Sequence, residues 1–449
     1  MDANNIGPRV IPLIGPNVDD IIYNIASRWF DTLKKIEEND PDTPAVLDAC
    51  GTMQHIQDIT DEQWQQIGHT ISNNIHLTTI NFNRNVLNDH KASFFFRGLT
   101  RSSSINRFDL SLTNTNVVGN TLSVVGVRSM VPFLQNANNL VYLDLSDNNI
   151  QSEGFNELFR ALRESPIEEL DCCSCCIESI EINVKHAPKN LTSLWLQDNS
   201  INTDGCREIV KLLQGGDATL TELHLGYTEI DDEGVAILAE ALQSNKSLTK
   251  LDLRGYDEII SNHGKMKLLK LVNDISSIKA TLQSNHTLTE IRFYYIEEEE
   301  DWEEYKDDEI QMHINMATGI NSESENTPES ASREKMIKTQ LNSVKRAELA
   351  ELQGVTSSVF SEIDPLHLPE VLALVGRHHG QRELYLTLRY SIAEVISTVN
   401  REQYLKQQRA ELKSKLEAIE AEIATIEAAK EQEVGIGSEA PRNNKRRRE

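Results

Sequence analysis

Four of this chain's six cysteines, Cys172, Cys173, Cys175 and Cys176, fall within five residues of the stretch "LDCCSCCIESI". Thiolates are zinc ligands and redox nucleophiles, and Cys172 and Cys175 have the C-x-x-C spacing that suits both. A structural zinc needs four ligands around a tetrahedron, and one tight cluster cannot supply them alone. The others would have to come from Cys50, Cys206 or a histidine. His378 and His379 are adjacent, so on a helix they point about 100° apart, a poor geometry for joint ligation. No P-loop, no Ser/His/Asp order and no paired-carboxylate motif stands out. The other chemically distinctive feature is charge. Seventy acidic residues against 44 basic ones leave a net charge of -26, which argues against a general nucleic-acid binder and favours basic partners.

The elements that carry the cysteines decide between these uses. "LVYLDLSDNNI" from Leu140, "LTSLWLQDNSI" from Leu191 and "LTELHLGYTEI" from Leu220 share the pattern L-x-x-L-x-L-x-x-N/T-x-I. Weaker copies start at Leu77, Ile105, Leu248 and Leu288. The copy at Ile167, "IEELDCCSCCI", puts Cys172 in the place of the last core leucine and Cys175 in the place of the asparagine. The L-x-L core reads as a short strand with alternate residues facing in. The asparagine position turns inward to bond backbone groups of neighbouring turns. Cys172 and Cys175 are therefore expected as small buried residues, with Cys173 and Cys176 more exposed, and neither metal nor cofactor is expected.

Between the strands, "SEGFNELFRALRES", "TDGCREIVKLLQ" and "DDEGVAILAEALQSN" place apolar residues at helical spacing. Units of 27 to 29 residues with a helix each resemble the ribonuclease-inhibitor type of leucine-rich repeat. That resemblance implies an α/β solenoid, parallel strands inside and helices outside, with about eight strands over residues 77–296. Residues 1–58 are expected as an N-terminal helical cap and 59–296 as the solenoid. Residues 297–335 read as an acidic, Ser/Glu-rich linker, because "IEEEEDWEEYKDDE" has ten acids and one lysine. Residues 336–434 read as helical, followed by a disordered basic tail over 435–449. Within the helical region, Leu405, Leu412, Leu416, Ile419, Ile423 and Ile426 alternate four-three spacing, interrupted at Arg409. This marks a coiled-coil segment over 402–430, suited to homo- or hetero-association.

The residue between the two core leucines of each strand should face the concave side. Up the stack these are Asn81, Asp109, Asp144, Asp171, Trp195, His224, Asp252 and Arg292. Strands lie about 4.8 Å apart, so Asp109, Asp144 and Asp171 should form a row of mutually repelling carboxylates. Tyr142, Glu169 and Glu222 flank it, and Trp195, Tyr227 and Tyr294 add aromatic surface of the kind that anchors interfaces. The candidate partner-binding residues are Asp109, Tyr142, Asp144, Glu169, Asp171, Trp195, His224, Tyr227 and Asp252.

The order of solenoid, acidic segment and a helical region containing "FSEIDPLHLPEVLALVGRHHGQRELYLTLRYSI" is similar to a family of leucine-rich-repeat proteins from algae and other protists. That resemblance implies intracellular interaction proteins and supplies no catalytic residues. The chain is expected to be a non-catalytic scaffold that binds a protein through the concave face, with no membrane or direct nucleic-acid contact. Two rivals stand beside it. One is a GTPase-activating protein similar to the Ran activators, for which "DLSDNNI" offers Asn148 and Asn149 but no matching arginine. The other is an acidic binder or chaperone of basic nuclear proteins. Lys445, Arg446, Arg447 and Arg448 have the form of a nuclear-localisation motif. The first residues lack the form of a secretory signal, so a cytoplasmic or nuclear location is expected.

Overall fold

The computed structural model describes residues 20–48, 59–82, 87–111, 122–214, 218–255, 259–294, 308–323, 327–355, 409–421 and 423. The chain divides into two compact units, residues 1–336 with 348–355, and residues 337–347 with 356–449.

Among the described residues, the first unit is built on nine parallel strands hydrogen-bonded in sequence order. They are β1 (Val46–Asp48), β2 (Thr79–Asn81), β3 (Arg107–Asp109), β4 (Tyr142–Asp144), β5 (Glu169–Asp171), β6 (Ser193–Trp195), β7 (Glu222–His224), β8 (Lys250–Asp252) and β9 (Glu290–Arg292). Every strand has three residues, and its middle residue is buried: Leu47, Ile80, Phe108, Leu143, Leu170, Leu194, Leu223, Leu251 and Ile291. Side chains alternate along a strand, so one inward residue leaves its two neighbours on the open face. β1 extends the sheet one strand beyond the eight expected. Its single core leucine, with no second leucine two residues on, hides it from the repeat pattern.

Helices form the outer layer: α1 (Asp20–Glu38), α2 (Asp61–Asn73), α3 (Asp89–Gly98), α4 (Val124–Leu134), α5 (Gln151–Ala161), α6 (Thr203–Leu213), α7 (Asp232–Leu242), α8 (Asn262–Asn273), α9 (Ile278–Gln283), α10 (Glu309–Ser322) and α11 (Pro328–Lys335). Side chains of Thr60, Asn88, Ser123, Asn202, Asp231 and Ser261 cap the first turns of α2, α3, α4, α6, α7 and α8. Each satisfies a donor that the helix itself leaves unpaired. The cysteine repeat departs from the expectation of a full helix per unit. Only a 3-10 turn, Val184–His186, lies between β5 and β6. The step from Leu170 to Leu194 is simply too short for a helix and its two connections. Against the first strands, Trp64, Phe82, Phe95, Phe96, Phe108 and Phe133 pack edge to face, a bulky substitute for aliphatic layers.

The turns after the strands are tied by a polar ladder. Asn148 donates from Nδ2 to Leu110 O and Leu145 O, each 2.9 Å, and its Oδ1 accepts from Leu122 N. Asn199 donates to Cys172 O and accepts from the N–H groups of Cys175 and Ile177. Cys175 occupies the rung between them, with Sγ 3.1 Å from Leu145 O. Cys172 and Cys175 are fully buried free thiols, Cys173 is partly exposed and Cys176 exposed. The residue before each rung, Asp147, Ser174, Asp198 or Tyr227, has φ of 61°, 51°, 54° or 56°. That left-handed conformation aims its N–H at a carbonyl of the next repeat: Cys173, Gln197, Gly226 or Arg254. Asp and Ser tolerate it better than tyrosine does.

The expected linker over 297–335 is not one where it is described. α10 buries Ile310, Ile314 and Ala317 in the core, and α11 buries Lys335. Lys335 Nζ donates to Val272 O at 2.8 Å and Asn285 O at 3.1 Å. Asn321 donates to Leu288 O at 2.6 Å, continuing a series in which Asn245 donates to Leu213 O and Asn285 to Leu242 O. The two helices therefore close the solenoid's end. The acid count conceals this, because the acids cluster ahead of α10 while "IQMHINMATGIN" supplies its buried face. Gln353 returns to the same end, donating to Asn273 O and accepting from Ile275 N.

In the second unit, residues 409–421 are helical and lie inside the expected coiled-coil segment. The rest of that segment and the basic tetrad Lys445–Arg448 lie outside the described residues. Among the described residues, no helix is long and apolar enough to cross a membrane.

Two outcomes follow for stability. Asn199→Ala should lower unfolding free energy by about 2 kcal/mol or more by orphaning buried carbonyls and two N–H groups. Cys172→Ser should cost on the order of 1–3 kcal/mol, and Cys173→Ser with Cys176→Ser little, as denaturant titration will show. Burial pushes the Lys335 ammonium down to about 7 from 10.5. The unfolded chain therefore binds more protons between those values, and Lys335 contributes stability that rises with pH across that window. Lys335→Met should remove this component of the slope in parallel melts at pH 7 and 10.

Candidate partner-binding face

Strand register assembles the open face. Asp109, Asp144 and Asp171 pair successively as neighbours, followed by Trp195, His224, Asp252 and Arg292. The flanking column runs Arg107, Tyr142, Glu169, Ser193, Glu222 and Lys250. The candidate residues thus lie on one continuous surface, apart from Tyr227, which sits in the turn after β7.

The two halves of this face differ electrostatically. On β3–β5, Asp144 is only 9% exposed. Its carboxylate accepts from Ser146 N at 2.9 Å, Ser146 Oγ at 2.7 Å and the Tyr142 hydroxyl at 3.2 Å. Burial, then the neighbouring charge of Asp171, raises its pKa to about 6 against those hydrogen bonds. Burial also raises Asp171, opposed by the Cys173 N–H and reinforced by Asp147. The Tyr142 phenol is raised by burial and by the charges of Asp144 and Asp171. Among the described residues, no lysine or arginine forms an ion pair with Asp109, Asp144 or Asp171. Arg107 lies over the Tyr142 ring instead, 3.7 Å from its centroid.

On β6–β8 each acid has its own cation. Glu222 pairs with Lys250 at 2.8 Å. Asp252 is 2% exposed and is held by Arg254 Nη2 at 2.6 Å and by Gln197 Nε2 at 2.9 Å, with His224 Nδ1 3.6 Å away, beyond hydrogen-bond distance. Burial alone would raise Asp252, but the neighbouring His224 and the bonds from Arg254 outweigh it and hold it below the usual carboxylate range. The Trp195 and His224 rings stack at 3.8 Å and 13° between the two halves. Tyr294, expected among the open aromatics, is tied to the cap: its hydroxyl is 2.5 Å from Asp308, which also pairs with Lys265 at 2.6 Å.

Arg254 and Gln197 were not among the expected residues. The signal was present: alternation continues one step past each strand, so Ser146, Cys173, Gln197 and Arg254 share a third open column. Of the two asparagines offered for GTPase activation, Asn148 is buried and engaged on both sides of its amide in the ladder, and Asn149 is exposed. Among the described residues, no three His, Cys, Asp or Glu side chains are placed to share a metal ion.

A family profile described as leucine-rich repeat matches residues 136–155 and 216–239. The ribonuclease inhibitor of Mus musculus is 27% identical over 170 residues, 36% of this chain and 36% of that protein. The Sus scrofa ribonuclease inhibitor is 28% identical over 155 residues, 33% of each chain. The chain thus carries leucine-rich repeats similar to those of the ribonuclease inhibitors. The chain is also 30% identical over 151 residues to NACHT, LRR and PYD domains-containing protein 14 of Mus musculus, 32% of this chain and 15% of that one. The leucine-rich-repeat chain thus spans about a third or less of the length of these curated relatives.

Ionised Asp144 costs the solenoid stability above about pH 6, a cost that fades as pH falls toward 3.8 and the folded state takes up a proton more readily than the unfolded one. Asp144→Asn should therefore stabilise the fold by about 1–2 kcal/mol at pH 8. The gain should shrink to nothing near pH 4, as paired thermal melts will show.

Proposed function

We propose that this chain is a non-catalytic scaffold whose concave face grips a basic segment of a partner protein. A lysine or arginine of the partner lies over Asp109, Asp144 and Asp171, and an apolar group packs on the Trp195–His224 stack. The observation that carries the reading is the contrast between halves. Asp252 and Glu222 bring their own cations, whereas Asp144 is kept buried beside Asp171 with none among the described residues. An uncompensated buried carboxylate is costly, and an incoming cation would remove that cost on binding. Glu169 and Tyr227 border the contact. The same electrostatics would suit basic nuclear proteins, a reading to which the basic tail at Lys445–Arg448 adds a route of delivery.

Binding of lysine- and arginine-rich peptides, with a charge-neutral peptide as control, tests this by fluorescence anisotropy at two salt concentrations. Asp144→Asn with Asp171→Asn should weaken binding about tenfold or more and flatten the salt dependence. Trp195→Ala should weaken it by roughly 2 kcal/mol and leave the salt slope unchanged. Asp144→Asn is expected to stabilise the fold, so lost affinity cannot be laid to unfolding. Equal binding by all variants would move the contact away from this face, toward the acid-rich stretch before Glu309.

A further inference from the structure

We infer that the helix over 409–421 pairs with the same helix of a second copy of this chain, antiparallel, through Leu412, Leu416, Ile419 and Ile423. This lies beyond the concave-face reading and does not depend on it. The four residues alternate spacings of four, three and four, which keeps them on one stripe of a helix. All four are uncovered in the folded chain, at 61%, 56%, 53% and 50% exposure. A continuous stripe of large apolar residues on one helix is the surface that a partner helix buries.

The flanking charges identify the partner. In heptad terms Arg409, Leu416 and Ile423 are a positions, and Leu412 and Ile419 are d positions. Lys413 and Glu420 then fall at e, and Lys415 at g. Cations precede the midpoint of the stripe and an anion follows it, so the helix is complementary to itself run in reverse. In an antiparallel pair each a faces a d, which sets Leu416 against Ile419 and Leu412 against Ile423 of the second copy. It also sets e against e, so Lys413 meets Glu420 of the second copy, and the twofold axis makes that pairing twice. A parallel pair does worse. It gains Lys415 against Glu420 of the second copy, but opposes Arg409 to its own copy across the seam and leaves Lys413 beside the uncharged Gln408. Outside the described residues, the sequence continues the same segregation, with Lys406 before the stripe and Glu422 and Glu427 after it. In a parallel register those last two acids would face each other. Within one helix, Lys415 bonds Glu411 at 2.7 Å and Lys413 lies 3.8 Å from Glu417. These exposed i,i+4 pairs are weak and do not compete strongly with contacts across the seam.

Sedimentation equilibrium of the full-length chain tests this. The wild type should form a concentration-dependent dimer at tens of micromolar or below (about 10–50 µM), as a seam of a few heptads allows. Leu416→Asp with Ile423→Asp should yield a monomer with the thermal transition of the solenoid unchanged. Lys413→Glu and Glu420→Lys should each weaken the dimer at least about fivefold, and the two together should restore it to near the wild-type level. If Lys415→Glu with Glu420→Lys restores the dimer while Lys413→Glu with Glu420→Lys does not, the pair is parallel and the inference is overturned. A monomeric wild type in that range, or a dimer that survives Leu416→Asp with Ile423→Asp, overturns it as well.

Discussion

Everything in the solenoid depends on how the chain leaves each three-residue strand. Parallel strands this short satisfy few of their own backbone groups, and the turn that follows buries several more. The ladder of Asn148, Cys175 and Asn199 meets that demand from side chains, and left-handed residues such as Asp147 and Asp198 meet it from the backbone. Both devices reach into the next repeat. They therefore fix the offset between repeats as well as the turn itself, and the one-to-one strand register follows from them. The cysteine cluster belongs to this system. Cys175 is small enough for the interior and polar enough to approach Leu145 O, while Cys172 fills a leucine's place in the core.

The open face is a consequence of that register. Once each strand is aligned with the last, residues separated by 24 to 40 positions in sequence become neighbours, and a column of aspartates forms with no local interaction to favour it. Asp252 and the flanking Glu222 are neutralised by the protein's own Arg254 and Lys250, whereas Asp109, Asp144 and Asp171 have no lysine or arginine partner among the described residues. Placing the buried Asp144 without a counterion lowers stability, and the Trp195–His224 stack lies where the unpaired aspartates give way to acids that have their own cations.

Ends pose a separate problem for a stacked protein, since the terminal repeats have no neighbour to cover their cores. At the C-terminal end α10 and α11 do this. They reuse the devices of the repeats: Asn321 continues the asparagine series, and Lys335 reaches the carbonyls of Val272 and Asn285 from within the core. A buried lysine is an expensive way to satisfy two carbonyls, and its depressed pKa records that cost.

The sequence by itself determined the repeat architecture, because each unit carries its own signal. Leu143, Leu194 and Leu223 mark the strands, Asn148 and Asn199 mark the rungs, and helical spacing marks the outer layer. The same alternation was enough to place Asp109, Asp144, Asp171, Trp195, His224 and Asp252 on one face. It did not reveal β1, whose core residue Leu47 stands without a second leucine, or the cap, whose apolar face in α10 follows directly on a run of acids. Nor did it show which carboxylates are neutralised. Glu222 and Asp252 look like Glu169 and Asp171 in sequence, and only the arrival of Lys250 from the next strand and the fold-back of Arg254 separate them. Local pattern is written residue by residue and survives in the chain alone. Burial and charge pairing depend on which distant side chains share a space, and that is decided only when the repeats stack.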